Sequence, residues 1–160
     1  MKVQIRRLLL FWFPLAALIG LCVYFWLPRG IRYLEVNRLS GPVLQACEAG
    51  QQRLVLADVA RFDWDEVAIL GPYVSRPWAA RVLGYPWDDY LDYRELWGGD
   101  TYAALLFLKE GQIVRTQLHW RTHGEFPYPL RRISRDQAVF DIQRGDKGCA
   151  FAQLTLAGSR

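Results

Sequence analysis

From Leu8 to Leu27 the chain runs LLLFWFPLAALIGLCVYFWL, twenty residues without a charge. At about 1.5 Å per helical residue such a run reaches roughly 30 Å, the hydrocarbon thickness of a bilayer. Trp12, Tyr24 and Trp26 fall near its ends, where amphipathic rings favour the membrane interface. The run is longer than the apolar core of a signal peptide, and no small-residue cleavage site follows it. Leu21, just before Cys22, is too large to precede a lipidated cysteine. The pattern predicts a cytoplasmic segment over 1–7, a retained transmembrane helix over 8–27, a connector over 28–42 and an extracytoplasmic domain over 43–160. Ser40-Gly41-Pro42 is expected to break whatever precedes it.

Beyond the connector the periodicity changes. Val43 to Ala49 predicts a short helix ending at Gly50. Arg53–Asp58 predicts a strand, and Glu66–Leu70 a second one that is apolar on both faces and so central in its sheet. Phe62 and Trp64 share one face at period two, but the apolar phase then moves to Val67 and Ile69, which implies a bulge or turn near Asp65-Glu66. Ser75 and Pro77 mark the start of a helix that ends at Gly84. A second helical or irregular piece, rich in aromatics and acids, runs over 85–97. Thr101–Leu108 and Gln112–Trp120 form a hairpin around Glu110-Gly111. Its second arm alternates, with Val114, Thr116, Leu118 and Trp120 on one side and Arg115, Gln117 and His119 on the other. Gln137–Gln143 and Cys149–Leu156 predict a second hairpin. Linked hairpins predict an α+β fold: one N-terminal transmembrane helix, then a small antiparallel-sheet domain of about six strands with two or three short helices.

Charge changes this picture in one respect. The net charge of +4 would suggest nucleic acid, but residues 1–40 hold six basic side chains against Glu35 alone. The domain itself is nearly neutral, so no nucleic-acid partner is expected. It is lopsided, however: residues 41–100 carry five basic and ten acidic groups, residues 101–160 nine and five. The two halves are expected to pair in the fold, or else to form two opposed surface patches that orient a partner.

Cys47 opens the domain and Cys149 lies near its end. Two cysteines so placed suit one disulfide in an oxidising compartment. No cofactor, metal site or catalytic constellation is expected. The spacing His119-x-x-x-His123 could bind zinc on a helix, but along a strand it separates the rings by roughly 13 Å.

Two segments carry candidate contact chemistry. Trp87, Asp88, Asp89, Tyr90, Tyr93 and Trp97 mix acids with aromatics, and Arg131, Arg132 and Arg135 follow Pro129. Aromatics and arginines are the usual anchors of protein interfaces. The arginines are expected to pair internally with 88–92 or to meet an acidic partner. Asp88, Asp89, Asp92 and Glu95 beside aromatic platforms also allow a glycan-binding or glycan-hydrolysing site. A third reading, a structural subunit of a membrane complex, rests on Ala16, Ala17 and Gly20 in the apolar run.

Phe62-Asp63-Trp64-Asp65, an aliphatic strand, then Gly71-Pro72-Tyr73 and Ser75 resemble a motif of small bacterial envelope proteins. In that family, F-D-W-D precedes a strand and P-Y-T/S, often behind a lipoprotein signal or one transmembrane helix. The family has no established activity. Some similar small periplasmic proteins are immunity proteins, so the resemblance implies binding rather than catalysis. This chain departs from the pattern in lacking a usable lipobox and in carrying Ala68 where a larger residue is expected. Physically the motif reads as a strand entry: Phe62 and Trp64 bury, while Asp63 and Asp65 cap nearby backbone. Together these readings predict a single-pass inner-membrane protein, held by 8–27, whose periplasmic domain binds another protein.

Overall fold

The computed structural model describes residues 20, 38–88, 90, 93, 99–145 and 148–153. The chain divides into two units, Met1–Glu35 and Val36–Arg160. Of the expected span over 8–27 only Gly20 is described, and it is helical; the rest of that span lies outside the described residues. Among the described residues no helix is long and apolar enough to cross a membrane.

The second unit is α+β, with seven strands among the described residues, in two antiparallel sheets. A helix over 38–48 (α1) leads into β1 (Arg53–Val55), a single turn α2 (Leu56–Val59), β2 (Glu66–Leu70) and α3 (Arg76–Leu83). Then come β3 (Tyr102–Lys109), β4 (Gln112–Trp120), β5 (Ile133–Ser134), β6 (Val139–Gly145) and β7 (Gly148–Gln153). The sheets are ordered β1-β6-β7 and β4-β3-β2-β5.

The larger sheet is covered on both faces, which is why β2 and β3 are apolar throughout. Val67, Ile69, Leu105 and Phe107 face a core closed by the smaller sheet, through Leu54, Phe140 and Phe151, and by α1. Ala68, Leu70, Ala104, Leu106 and Leu108 face a second cluster closed by α3. The alternation in β4 therefore has an unexpected consequence. Its polar side faces the larger core: Gln117 and His119 are buried, and the Arg115 guanidinium lies 4.4 Å from the centre of the Phe62 ring. Val114 is exposed instead, because it is the extra residue of a bulge: Phe107 pairs with Arg115, but Leu108 pairs with Ile113.

Two local expectations are corrected, and one strand is added. Ser40-Gly41-Pro42 does not break the chain but lies inside α1. Leu39, Val43 and Ala46, spaced i, i+4 and i+7, all bury, and tertiary packing of that stripe outweighs the local breakers. The strand expected to reach Asp58 stops at Val55, because the turn of α2 lets both Leu56 and Ala60 bury. Finally, β5 is a short edge strand with no sequence forecast; it pairs Ile133 with Val67.

Cys47 and Cys149 stand at disulfide distance, with Cα atoms 6.3 Å apart, and tie α1 to the start of β7. Gly124 is buried at φ 139°, and a Cβ there would collide with the Phe151 ring. Gly124→Ala is expected to cost about 3 kcal/mol, from overpacking plus a backbone conformation that alanine avoids. Gly145→Ala, where the added methyl meets open space, should stay within about 0.5 kcal/mol of the parent. Urea unfolding of the two variants checks this; equal midpoints would contradict the packing described.

Candidate functional site

The F-D-W-D segment is a structural hub. Trp64 is buried and its indole N–H donates to the Ala60 carbonyl at 3.1 Å. Phe62 and Trp64 meet the Phe107 ring edge-on. Asp65 Oδ2 accepts the Glu110 N–H at 2.9 Å and so holds the β3–β4 turn, where Glu110 and Gly111 both have positive φ. Asp63 pairs with Lys109 rather than capping backbone, and the ammonium lowers the Asp63 pKa.

Two arginines of the cluster, Arg132 and Arg135, serve this hub; of the acids over 88–92 with which pairing is expected, Asp89 and Asp92 lie outside the described residues. Arg135 Nη1 donates to the carbonyls of Phe62 and Trp64, at 3.4 and 3.3 Å, with its guanidinium 5.2 Å from the centre of the Trp64 ring. Arg132 bridges to Glu66 at 3.1 Å. These two ion pairs, Asp63–Lys109 and Glu66–Arg132, join the acidic half of the domain to its basic half. Arg131 alone of the three is exposed, and among the described residues it has no partner.

The aromatic-acidic segment also departs from expectation. Trp87 is 1 % exposed and belongs to the second core cluster, so it is no contact residue. Tyr90 and Tyr93 pack against its ring, and the Tyr90 hydroxyl donates to the Val74 carbonyl at 3.0 Å. These rings therefore help to close the second core cluster, Trp87 wholly buried and Tyr90 and Tyr93 half-buried. Asp88 is exposed; Asp89, Asp92, Glu95 and Trp97 lie outside the described residues.

The two histidines come together rather than apart, since β4 gives way to a 3-10 turn over Arg121–His123. His119 Nε2 donates to the Gly124 carbonyl at 2.8 Å, and His123 Nδ1 donates to the Ser40 carbonyl at 3.3 Å. His119 Nδ1 then accepts from the Ser40 hydroxyl, 3.1 Å away, while Ser40 Oγ accepts the Trp120 N–H at 3.0 Å. A serine beside a histidine invites a nucleophilic reading. Here both are fully buried and every polar atom is committed, so the pair fastens α1 to β4. Among the described residues no group of three or more His, Cys, Asp or Glu side chains is placed to hold a metal.

Three clefts open to solvent among the described residues: about 500 Å³ beside Trp64 and Arg135, about 540 Å³ beside Arg121 and Arg144, and the most aromatic, about 450 Å³, where β2 ends and α3 begins. The walls of the last include Pro72, Tyr73, Trp78, Tyr128 and Pro129. Tyr73 is 64 % exposed and held at φ 59°, a conformation that costs a non-glycine residue about 1–2 kcal/mol. Such strain persists only where the surroundings fix it, and it concentrates at functional sites. Here the loop is fixed from two sides: by the Tyr90 hydrogen bond to Val74, and by Tyr128, whose ring packs 3.0 Å from where a Cβ on Gly71 would stand. Tyr128 is held in turn. Its hydroxyl donates to Glu125, which also accepts from Arg121 Nε at 2.7 Å. Burial and then the Glu125 carboxylate push the Tyr128 pKa well up, so the phenol stays a donor at any ordinary pH.

Pro72 and Tyr73 enter the sequence reading only as structure, and Trp78 not at all. A signal for Trp78 existed. In R-P-W-A-A-R-V-L the buried stripe is Ala79, Val82 and Leu83, and Trp78 falls off it, three residues before Arg81, whose guanidinium lies 5.2 Å from the ring centre. A tryptophan on the charged side of an amphipathic helix is the unusual feature. No protein-family model, curated protein or solved structure matches the chain.

Proposed function

We propose that this chain is a non-catalytic protein-binding module: a periplasmic α+β domain on a single inner-membrane helix over 8–27, with the Tyr73–Trp78 cleft as its contact surface. One observation carries this reading. An exposed tyrosine is kept in a costly backbone conformation at the mouth of an aromatic cleft, beside a tryptophan on the outer side of its helix. Large, rigid, partly exposed rings are the side chains that protein interfaces use as anchors. The contact surface moves accordingly, away from Trp87 and toward Tyr73, Trp78 and Arg131. The charge-free run in the sequence supports the anchor, and the cysteine pair at disulfide distance supports an oxidising compartment.

A photoreactive phenylalanine analogue at position 78, in cells carrying the full-length chain, should give one discrete crosslinked protein. The same analogue at position 143, exposed on the far β6 strand, should not. Adducts of equal intensity at both positions, or none at 78, would dismiss the reading. A C-terminal reporter active only outside the cytoplasm tests the orientation, and its silence would remove the periplasmic placement.

A further inference from the structure

The lining of the cleft points to a ligand chemistry. Besides two prolines and three aromatic rings it offers Leu70, Val74 and Val82, with Ser75 the one small hydroxyl. The Tyr128 hydroxyl is already committed to Glu125. Such a surface provides ridges of flat rings and little directional hydrogen bonding, which suits an extended segment whose own rings or aliphatic side chains slot between them. A polyproline helix is the segment that meets such a groove with the least loss of entropy, because it is extended before it binds.

The rim adds a sign. Among the described residues that line the cleft there is no carboxylate. Arg76 directly follows Ser75, Arg81 lies over the Trp78 ring, and Arg131 stands two residues beyond Pro129 with exposed Leu130 between. All three are exposed, and none forms an ion pair among the described residues, whereas Arg53, Arg121 and Arg132 each do. Uncompensated arginines beside an apolar cleft complement a ligand that brings its own carboxylates. We propose that the cleft binds an extended, proline-containing acidic segment of the partner protein, with rings seated against Tyr73, Trp78 and Tyr128 and carboxylates toward the arginine rim. This rests on the protein-binding reading above and sharpens it.

The test uses the full-length purified chain and three labelled peptides with the same Pro-Pro-Leu-Pro core, flanked by Glu, Gln or Lys. The Glu-flanked peptide should bind at least about tenfold more tightly than the Gln-flanked one, with the gap closing as salt rises. Arg76→Gln, Arg81→Gln and Arg131→Gln together should erase the gap without abolishing binding. Trp78→Ala and Tyr73→Gly should each weaken the Glu-flanked peptide by about tenfold or more. Tyr73→Gly is the decisive variant: it relieves the positive φ, so its unfolding midpoint should hold or rise while affinity falls. Equal binding of all three peptides, or none, overturns the proposal. So does Trp78-dependent binding to vesicles of anionic phospholipid without peptide binding, which would make the surface a lipid contact. The two readings fail separately: a crosslinked protein at position 78 with no peptide preference keeps the binding module and discards this ligand, and no crosslinked protein discards the module.

Discussion

Reducing the Cys47–Cys149 pair is expected to lower the unfolding temperature of the domain by about 15–20 °C. The two cysteines are 102 residues apart in sequence, so a bond between them closes nearly the whole domain into one loop. The chain-entropy account gives about 4–5 kcal/mol for a loop of that size, a large part of the total stability of a small domain. The effect should also reach the cleft by a short route. The Cys149 carbonyl accepts the Glu125 N–H at 2.9 Å, and the Glu125 carbonyl accepts the Phe151 N–H at 2.7 Å. The Glu125 side chain holds Tyr128, and Tyr128 supports the loop that carries Tyr73. Thermal unfolding with and without reductant, alongside a Cys47→Ser/Cys149→Ser double variant, measures the first effect. Midpoints within about 3 °C of each other would show that the bond does not bear on stability. Peptide affinity in the same two states measures the second, and it should fall on reduction well below the melting range.

How far the fold could be read in advance depended on whether local pattern and burial agreed. They agreed in α3, where Ser75 and Gly84 bracket the helix as its caps, and in the β3–β4 hairpin, where Glu110-Gly111 turns the chain. They agreed in β2, whose doubly apolar pattern reports a strand with a core on each face. They parted where a distant partner decided. Alternation in β4 shows that two sides differ, but not that the polar side turns inward; Ser40 of α1 and the Gly124 carbonyl, far along the chain or past a turn, make that possible for His119. Ser40-Gly41-Pro42 reads as a break until the buried stripe of Leu39, Val43 and Ala46 is seen against the β sheets.

The candidate site was less legible for a related reason. An aromatic in a sequence looks the same whether it fills a core or meets a partner. Trp87, set among acids, reads as surface but closes the cluster beneath α3. Trp78, set between arginines, attracts no notice yet stands at the cleft. Arg132 and Arg135 read as a binding patch, but Glu66 and the Trp64 ring claim them. Only exposure separates such residues, and exposure depends on contacts between segments far apart in sequence. Tyr73 is the clearest instance: its backbone strain is set by Tyr128 and Tyr90 and leaves no mark on the sequence.

Acidification is expected to weaken the domain by about 3 kcal/mol between pH 6.5 and pH 4, through His119. Burial is the main cause that lowers the His119 pKa from its ordinary 6.5 to about 4, with the neighbouring His123 acting in the same direction and the Gly124 carbonyl opposing it. The hydrogen bonds explain why the folded state resists the proton. Nε2–H already donates to a carbonyl, so a second proton must go to Nδ1, where it would displace the Ser40 hydroxyl as donor. Ser40 Oγ would then have to accept from both His119 and Trp120 while turning its own hydrogen elsewhere inside a buried site. Above pH 6.5 neither the folded nor the unfolded chain carries the proton, and His119 leaves stability unchanged. As the pH falls below 6.5 the unfolded chain binds a proton that the folded chain refuses, and stability drops by up to about 1.4 kcal/mol per pH unit until pH 4. Below pH 4 both states are protonated and the loss is complete. Because this serine-histidine knot fastens α1 to β4, the first structure to loosen should be α1, seen as faster amide exchange over 38–48. His119→Gln keeps a donor for the Gly124 carbonyl but cannot titrate. Urea unfolding of the two proteins from pH 7 to pH 4 should therefore give a falling curve for the parent and a markedly flatter one for the variant. Parallel curves would mean that the imidazole takes its proton as easily in the folded chain as outside it, and the buried neutral histidine described here would be wrong.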